Sequence, residues 1–511
     1  MITRFFSAAL SGVNAIEVEV EVNATGADKP MVIIVGLPDA AVRESSQRVM
    51  SAIHASALPL EDGVKTVNLA PADLKKEGPS FDLPIALAMV SASSTRPISG
   101  DDCCVVGELG LDGTVRPVKG VLSIALEAKR CGRRRLLVPD ANAAEAAVIT
   151  GIDVFPISDL RQAWAFLTGS IVIPPYQINR AAFFAKHQAY EIDFEEVKGQ
   201  HQVKRALEVA AAGGHNVLMI GPPGTGKSML AKRLPTIMPP MSEHDAIETT
   251  KIHSVTGLLD AKHGFLATRP FRSPHHTISD GGLLGGGRNP GPGEVSLAHH
   301  GVLFLDELPE FRRQTLEVLR GPLEDFQVTI SRAAGSLTFP AQFMLIAAMN
   351  PCPCGYYGDA KRQCRCSPKE IENYRRKISG PLLDRIDIHV NVPMVEFREL
   401  TSTQPLGESS ATIRERVVAA RKTQAERFHK CGYSTNSAMT SRFVRQHCQL
   451  DAESTGYLEH AMAQMNFSAR AHDRILKVAR TLADLAGSEK IRGNDLLEAI
   501  QYRAMDRKLF S

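Results

Sequence analysis

The sequence lacks any run of 18 consecutive apolar residues, and it contains neither an internal repeat nor a low-complexity tract. The first absence argues against a membrane-spanning helix, and the other two argue against repeat architectures and disordered segments. Residues 1–10 superficially resemble a signal peptide, but their apolar run is short and passes directly into the alternating Glu17, Glu19 and Glu21. We interpret this segment as a strand of a cytoplasmic protein.

The chain also lacks a strong charge of either sign, because its formal net charge is only +3 over 511 residues. That charge is unevenly distributed: it is −4 in residues 1–170, +2 in 171–400 and +5 in 401–511. A basic final part is typical of a protein with a polyanionic partner, but so small a margin is equally typical of a solvated helical face. With 44% hydrophobic and 23% charged residues, the composition indicates a globular protein of two to four domains.

Cysteine is scarce, with nine residues in the chain, and we expect all of them to be reduced. Five are scattered and are expected to be packing residues: Cys103, Cys104, Cys131, Cys431 and Cys448. The other four form two C-x-C pairs: Cys352, Cys354, Cys364 and Cys366. Four thiolates can close a tetrahedral Zn²⁺ site, although C-x-C is tighter than the usual spacing. The alternatives are free thiols in a surface loop and an iron–sulfur cluster.

The most informative segment is GPPGTGKS at residues 221–228, which fits the phosphate-loop pattern G-x-x-x-x-G-K-[ST] at every fixed position. It lies between a predicted buried strand and a predicted helix, as the pattern requires. Lys227 can then reach the β and γ phosphate oxygens, and Ser228 can hold Mg²⁺. The alternative is a chance glycine-rich turn. The predicted ATP-binding residues are Gly221, Pro222, Pro223, Gly224, Thr225, Gly226, Lys227, Ser228 and Met229.

A second motif is GVLFLDE at residues 301–307, an apolar strand that ends in two adjacent carboxylates. Asp306 is suited to hold the metal ion, and Glu307 is suited to polarise an attacking water. Alone, such a pair is as typical of a strand ending in a solvated turn. Together with the phosphate loop, it predicts ATP hydrolysis.

Proline residues and changes of pattern divide the chain, and the predicted fold class is α/β multidomain. We predict an α+β domain in 1–170, a linker in 171–195, a parallel-sheet core covered by helices in 196–395, and a helical domain in 396–511. The last part has clear amphipathic helices at 413–427 and 473–486.

Residues 196–485 resemble an AAA+ ATPase of the magnesium-chelatase branch. The resemblance lies in the two nucleotide motifs and in the insertion FRSPHHTIS at 271–279, followed by a glycine-rich stretch and GEVSLAHH at 293–300. Over nearly the whole chain, the sequence resembles the YifB/ComM family of bacterial magnesium-chelatase-like proteins. That family implies a ring, usually a hexamer, with ATP between neighbouring subunits. Its member ComM is a DNA helicase that drives branch migration during integration of incoming DNA, and the resemblance implies the same activity here.

The resemblance assigns roles to three further residues. Asn350 matches sensor 1, where an amide orients the attacking water. Arg385 matches the arginine finger, which would reach the neighbour's γ-phosphate, and Arg470 matches sensor 2 on the helical lid. For each arginine, a surface ion pair remains the alternative. Residues 198–200 match a segment near the adenine.

The insertions carry the expectation of DNA binding. Residues 328–339 predict two strands around a tip at 332–335, and the family places such a hairpin facing the ring pore. Arg332 is the first candidate for a phosphate contact, and a plain surface hairpin is the alternative. The further DNA candidates lie in the earlier insertion: Arg272, His275 and His276. Adjacent histidines also suggest metal, but no third ligand is fixed nearby in sequence.

The segments EGPSFDLP at 77–84 and GELGLDGTVRPV at 107–118 match two stretches of the Lon protease. On these segments, residues 64–140 resemble the proteolytic domain of Lon and the related domain of the branch-migration protein RadA, which implies a ribosomal S5-like fold. The resemblance places Ser80 at the position of Lon's nucleophile. Lon needs a lysine to deprotonate that serine, and Leu122 occupies the lysine's position here, with Lys119 three positions early. We therefore expect an inactive protease-like domain that supports ring assembly or guides DNA.

The motifs predict a cytoplasmic protein that hydrolyses Mg-ATP and carries structural zinc, with no membrane partner. The family resemblance implies that it is a homo-hexameric motor that moves DNA. One rival is a metal-insertion motor like the ATPase subunit of magnesium chelatase, which would need a porphyrin-binding partner. Another is an ATP-dependent protease or chaperone. Stimulation of ATP hydrolysis by DNA, by a partner with porphyrin, or by unfolded polypeptide distinguishes the three.

Overall fold

A computed structural model describes most of the chain in two compact units. The described residues are 2–26, 31–179, 184, 188, 190–259, 264–287, 290–332, 335–359, 362–395, 407–429, 434–465 and 467–510, without the side chains of 504–510. The first unit consists of residues 1–188 and 242–267, and the second of 189–241 and 268–511. In the described part of the chain, no helix is both long and apolar enough to cross a lipid bilayer.

The first unit is built on a seven-stranded mixed sheet. The strands of the whole unit are β1 (Ile2–Ser11), β2 (Asn14–Thr25), β3 (Met31–Val35), β4 (Val64–Ala70), β5 (Cys103–Val105), β6 (Glu108–Leu109), β7 (Val115–Arg116), β8 (Arg135–Pro139) and β9 (Asp153–Ile157). The sheet order is β3-β4-β2-β1-β5-β8-β9, and β6 and β7 form a separate ribbon. The N-terminal segment is thus a strand, as predicted.

Helices pack on this sheet, and β2 and β4 alternate buried and more exposed residues, as a strand with one covered face does. The helices of the unit are α1 (Ala40–Ala55), α2 (Asp82–Ala92), α3 (Val121–Arg130), α4 (Ala143–Ala146), α5 (Leu160–Leu167) and, from the inserted segment, α8 (Glu243–Thr256). Every residue of α2 is buried, including Asp82. Burial raises the pKa of Asp82 to about 6, although Arg48, 2.9 Å away, opposes the shift. This apolar helix forms the centre of the first unit's core.

The segment 242–267 packs with the first unit, whereas the predicted division assigned it to the nucleotide-binding core. Ser254 of α8 donates a hydrogen bond to the buried carboxylate of Glu145, which also accepts from the backbone N–H of Leu122 at 2.8 Å. Burial raises the pKa of Glu145. The helix is therefore fixed to α3 and α4 by a buried polar contact.

The residues compared with Lon lie in this unit. Ser80 lies in the short 3-10 helix Pro79–Phe81, and Leu122 is fully buried in α3. The side chain of Lys119 lies against Gly257, where an added Cβ would be 2.6 Å from its Cε. Among the described residues, no hydrogen bond joins Ser80 to Lys119. The structure thus contains no serine–lysine pair at the expected positions.

The second unit contains a five-stranded parallel sheet and two small hairpins. Its strands are β10 (Val217–Ile220), β11 (Phe271–Arg272), β12 (Gly285–Gly286), β13 (Gly291–Pro292), β14 (Val302–Leu305), β15 (Gln327–Arg332), β16 (Gly335–Pro340), β17 (Met344–Met349) and β18 (Ile388–Asn391). The sheet order is β11-β14-β17-β10-β18, with every neighbouring pair parallel. The antiparallel hairpins are β12–β13 and β15–β16.

Both faces of this sheet are buried, as expected of parallel strands with continuous apolar sequences. Val217, Met219 and Phe304 face one core, while Leu218 and Leu305 face the other. The helices are α6 (His201–Gly213), α7 (Lys227–Ile237), α9 (Asp280–Leu284), α10 (Glu294–Leu297), α11 (Arg313–Glu317), α12 (Arg320–Asp325), α13 (Pro368–Arg375), α14 (Gly380–Leu383), α15 (Ser410–Phe428), α16 (Ser441–His447), α17 (Ala452–Met465), α18 (Ala469–Leu485) and α19 (Gly493–Phe510). Helices α15 to α19 share the first of these cores, so the predicted helical domain belongs to the same compact unit. The α/β multidomain class is confirmed.

A buried polar cluster joins α18 to the sheet. His215, just before β10, hydrogen-bonds Asp387 at 3.1 Å and Thr481 at 2.8 Å. Arg474 of α18 pairs with the other carboxylate oxygen of Asp387. Burial alone would raise the pKa of Asp387, but the positive charge of Arg474 and the hydrogen bond from His215 hold it well below its usual range. The carboxylate therefore remains ionised in the interior and fixes α18 in place.

Replacing Asp387 by Asn is expected to lower the free energy of unfolding of the second unit by about 3 kcal/mol, because Arg474 would lose its partner. Since the folded-state pKa lies below the unfolded value of about 4, this contribution is complete at neutral pH and is lost as the pH falls below about 4. Urea unfolding at pH 7 and pH 3 measures it.

The matched control is Glu372→Gln, which removes a carboxylate from the exposed pair with Arg376. We expect its unfolding midpoint to stay at the wild-type value at both pH values. Equal stability of the wild type and Asp387→Asn at pH 7 would contradict the role assigned to Asp387.

Candidate nucleotide site and cysteine cluster

The predicted phosphate loop connects the end of β10 to the start of α7. Gly226 is the residue before α7 and has φ +85°, a left-handed conformation that glycine adopts without strain. This turn directs the first N–H groups of α7 towards the space beyond the strand end, where an anion is favoured. The local geometry is therefore that of an anion-binding helix N-terminus.

The Lys227 side chain folds back over this loop. Its Nζ donates to the carbonyl oxygens of Gly221 at 2.7 Å and Pro222 at 2.8 Å, and to Oδ1 of Asn350 at 3.2 Å. Burial lowers the pKa of Lys227, while the nearby carboxylates of Asp306 and Glu307 oppose the shift. A buried ammonium held mainly by neutral oxygens is well placed to bind an anionic ligand.

Two motif residues meet at the start of α7. The hydroxyl of Ser228 donates to Oδ2 of Asp306 at 2.6 Å. A hydroxyl and a carboxylate are oxygen ligands of the kind that Mg²⁺ prefers, and it usually keeps several waters beside one or two protein ligands. The two side chains thus fit a divalent cation.

Glu307 follows Asp306 and has an unusual backbone. Its φ of +51° turns the chain at the strand end, and its N–H donates to Oδ1 of Asp306 at 2.9 Å. The Glu307 carboxylate is exposed and lies 3.6 Å from Nδ1 of His276. Sequence reasoning proposed His276 for DNA; the structure instead brings its ring to the carboxylate predicted to polarise water.

Gln200 also contacts the phosphate loop. Its Nε2 donates to the carbonyl of Thr225 at 2.7 Å and to that of Pro393 at 3.2 Å. Met229, at the start of α7, is 38% exposed. The segment expected near the adenine is thus anchored directly to the phosphate loop.

The two predicted arginines lie away from this loop. Arg385 is buried, and its described partners are the carbonyl of Pro381 at 2.6 Å and the carboxylate of Glu324. Arg470, at the start of α18, is 70% exposed and lies 3.9 Å from Asp384. Within one chain, the structure therefore joins the phosphate loop, Asp306, Glu307 and Asn350, and leaves both arginines outside that group.

The four DNA candidates differ in their exposure and in their contacts. Arg332 is exposed at the end of β15, in a hairpin held by cross-strand hydroxyl contacts; Ala333 and Ala334, at its predicted tip, lie outside the described residues. Arg272 is half-buried and makes a bidentate pair with Glu294 at 2.7 and 2.8 Å. His275 is exposed and stacks near His276. Of the two arginines among these candidates, Arg332 is the exposed one.

The four clustered cysteines come together as their spacing suggests. The Sγ atoms of Cys352, Cys354, Cys364 and Cys366 all lie within 4.8 Å of one another, and three of the six Sγ pairs are 3.4 to 3.7 Å apart. Backbone N–H groups of Arg365 and Tyr356 lower the pKa of Cys354 to about 6. The N–H of Tyr357 donates to the sulfur of Cys352. Four converging thiols with N–H donors aimed at them fit a tetrahedral thiophilic metal ion.

The cysteine segment packs directly on the phosphate loop. Gly355 has φ +87°, and a Cβ at this position would be 2.6 Å from Cδ of Pro223. Sequence reasoning missed this contact, and it also missed Glu324. A glycine after Cys354 indicates only a turn, and a single acidic residue on a short helix carries no pattern. Both contacts arise from the tertiary fold.

The remaining scattered cysteines agree with a packing role where the structure describes them. Cys103, Cys104 and Cys448 are buried, Cys131 is half-buried, and Cys431 lies outside the described residues. The eight described cysteines are free thiols. Burial raises the pKa of Cys103 and of Cys448 to about 12, so neither thiol is activated.

Three family models match successive parts of the chain. The model described as subunit ChlI of Mg-chelatase matches residues 18–142. The model of magnesium chelatase, subunit ChlI, matches residues 193–400, and that of the ChlI C-terminal part matches 407–503. The matches therefore cover both compact units.

Two relatives align over nearly their full length. YifB of Escherichia coli is 43% identical over 502 residues, which are 98% of this chain and 97% of YifB. The competence protein ComM of Haemophilus influenzae is 42% identical over 508 residues, which are 99% of this chain and 98% of ComM. A Lon protease of Mycolicibacterium smegmatis is 28% identical over 185 residues, 34% of this chain and 23% of Lon.

The contact between Gly355 and the phosphate loop can be tested with two alanine substitutions. Gly355→Ala and Gly358→Ala both strain a left-handed backbone, at φ +87° and +78°, which costs about 1 kcal/mol each. Only Gly355→Ala also drives a Cβ into Pro223, because no atom lies within 4 Å at position 358. We expect thermal unfolding of Gly355→Ala to begin at a clearly lower temperature than that of Gly358→Ala. Equal melting temperatures would mean that the two loops are not tightly packed.

Proposed function

This chain belongs to the YifB/ComM family of magnesium-chelatase-like AAA+ proteins, and from that membership we propose that it is an ATP-driven, ring-forming motor that promotes branch migration of DNA. The single observation that carries the ATPase proposal is the convergence of Lys227, Ser228, Asp306 and Asn350 at the end of one parallel sheet. These side chains supply an anion-binding ammonium, two oxygen ligands and an orienting amide.

In this proposal, the residues of one chain bind and orient the substrate ATP. Lys227 exchanges its contacts with the loop carbonyls for contacts with the β and γ phosphate oxygens. Ser228 and Asp306 hold Mg²⁺, which supplies positive charge that neutralises the phosphate oxygens. Asn350 orients the water that attacks the γ-phosphorus, and Glu307 polarises that water by accepting a hydrogen bond from it.

The homo-hexameric part of the proposal is supported by the positions of the arginines. Arg385 and Arg470 have no described partner in their own phosphate loop. A guanidinium that stabilises charge on the transferred phosphoryl group must come within contact distance of it. We therefore assign Arg385, as finger, to a site completed by a neighbouring subunit, and we keep Arg470 as sensor 2 on the helical lid.

The DNA part of the proposal is supported by the name of one full-length relative, competence protein ComM, by the exposed Arg332 and by the net charge of +5 in residues 401–511. The family models are named for a magnesium chelatase subunit, which keeps metal insertion as the rival. The first unit, with its partial match to Lon, has no serine–lysine pair at the expected positions, so we assign it to ring assembly or DNA guidance. We retain the expectation of a cytoplasmic location.

We also propose that the cysteine cluster holds structural Zn²⁺. The converging sulfurs and their N–H donors support this assignment. Gly355 follows Cys354 in the sequence and packs on Pro223 of the phosphate loop, so a bound ion would stiffen that loop. The same segment leads through α13 to Arg385, so the ion would also support the subunit interface.

The motor proposal is tested by incubating the protein with a synthetic four-way DNA junction and Mg-ATP. We expect the wild type to separate the junction. Glu307→Gln should bind ATP but hydrolyse it about 10²-fold more slowly or worse, and it should leave the junction intact. The matched control is Glu310→Gln, which removes an exposed carboxylate three residues away and should behave as the wild type. Hydrolysis that no DNA stimulates, with no junction separated, would favour the metal-insertion or protein-remodelling rivals.

The zinc proposal is tested by metal analysis of the purified protein. We expect about one zinc per chain in the wild type and none in the double variant Cys364→Ser, Cys366→Ser. Cys131→Ser, which removes a thiol outside the cluster, should keep full zinc content. Unchanged zinc in the double variant would sink the assignment.

A further inference from the structure

The proposed arginine finger is stowed inside its own chain. The Arg385 side chain is only 7% exposed, and its guanidinium is paired with the carboxylate of Glu324 on α12. A second nitrogen donates to the carbonyl of Pro381 at 2.6 Å. The Nε atom is buried and has no hydrogen-bond partner among the described residues. In this position, the guanidinium is engaged by groups of its own chain.

The pairing is of a kind that another anion can replace. Glu324 is 58% exposed, so water can solvate its carboxylate once the guanidinium leaves. The stowed guanidinium leaves its buried Nε donor unsatisfied, which disfavours this position. A terminal phosphate carries more negative charge than a carboxylate and offers acceptors to the planar guanidinium fork. The Arg385 guanidinium can therefore exchange the Glu324 carboxylate for a phosphate as its partner.

We propose that Glu324 is a positioning residue that holds Arg385 in the stowed state and releases it to the terminal phosphate of a nucleoside triphosphate bound by a neighbouring copy of this chain. This inference rests on the proposed function, because it assigns Arg385 to a neighbour's site. Glu324 acts through Arg385 alone and does not touch the nucleotide.

The position of Glu324 links this release to the proposed DNA hairpin. Helix α12 ends at Asp325, Phe326 follows with φ +55°, and β15 begins at Gln327. The N–H of Ala341, just after β16, donates to the carbonyl of Phe326 at 2.8 Å, which ties both ends of the hairpin to the end of α12. A force on the exposed Arg332 would thus be transmitted to the helix that holds Glu324. DNA contact at the hairpin is the event that favours release.

Removing the Glu324 charge should weaken the stowed state. Glu324→Gln is expected to raise ATP turnover in the absence of DNA by several-fold, with a smaller change in KM, because the finger becomes available more often. The ratio of DNA-stimulated to basal turnover should fall towards one. Asp325→Asn, which removes a charge from the next residue on the same helix, should leave both values at the wild-type level.

The decisive experiment mixes two kinds of subunit. Arg385→Ala chains provide a complete nucleotide site but no finger, and Glu307→Gln chains provide the finger but hydrolyse poorly. ATP turnover in the mixture then occurs at nucleotide sites of the Arg385→Ala chains, and it depends on Arg385 side chains donated by neighbouring Glu307→Gln chains. We expect Glu324→Gln to raise turnover when it is placed in the Glu307→Gln chain and not when it is placed in the Arg385→Ala chain, whereas a structural role would act in both placements.

Each outcome decides the matter. A wild type without ATP hydrolysis refutes the proposed function itself. An active wild type with an inactive mixture refutes donation of Arg385 between subunits, and hence the inference. An active mixture that responds to Glu324→Gln no more than to Asp325→Asn refutes the role of Glu324. Melting temperatures of the purified variants identify any that fail to fold. If Glu324→Gln fails to fold, Glu324→Asp, which keeps the charge on a shorter side chain, replaces it. Glu324→Asp should raise turnover when it is placed in the Glu307→Gln chain and not when it is placed in the Arg385→Ala chain.

Discussion

The candidate site depends on one constraint, which is that parallel strands end at the same edge of a sheet. Strand β17 lies between β14 and β10, so the ends of these three strands are neighbours. Asp306 follows β14, Asn350 follows β17, and the phosphate loop follows β10. Residues far apart in sequence are therefore delivered to one place by backbone hydrogen bonding alone. Small side-chain contacts, such as that between Ser228 and Asp306, then complete the arrangement.

At the opposite edge of the same sheet, Asn216 joins the strands at their beginnings. Its side-chain oxygen accepts from the N–H of Leu345 at 2.8 Å, and its side-chain nitrogen donates to the carbonyl of Arg385 at 3.0 Å. The adjacent His215 carries the buried contact with Asp387. The residues just before β10 thus fix the start of β17, the backbone of the proposed finger and, through Asp387, helix α18. The nucleotide loop and both proposed arginines are connected to a single strand.

Much of this arrangement could be predicted from the sequence because it depends on local patterns. The phosphate loop, the strand ending in Asp306 and the paired cysteines each occupy a short segment with a known chemical requirement. The contact between Glu324 and Arg385 could not be predicted, since no sequence pattern marks Glu324 and the two residues meet only through the tertiary fold. The same is true of Arg272: its charge suggested DNA, and only the structure reveals the carboxylate of Glu294 beside it. Charge predicts a partner only when no nearer carboxylate is available.

Helix α8 packs with the first unit although the residues before and after its segment belong to the second unit, and this affects how the protein can be divided for expression. The chain passes from the first unit to the second, returns for residues 242–267 and then leaves again. Cutting at residue 188 would therefore not separate two independent pieces. The C-terminal fragment would keep α8 but lose its contacts with Glu145 and with the rest of α3 and α4. The buried side of that helix, which includes Ala246 and Ile252, would face water. Separate expression of the second unit accordingly requires replacing residues 242–267 by a short linker, whereas a simple N-terminal deletion should yield an aggregating chain.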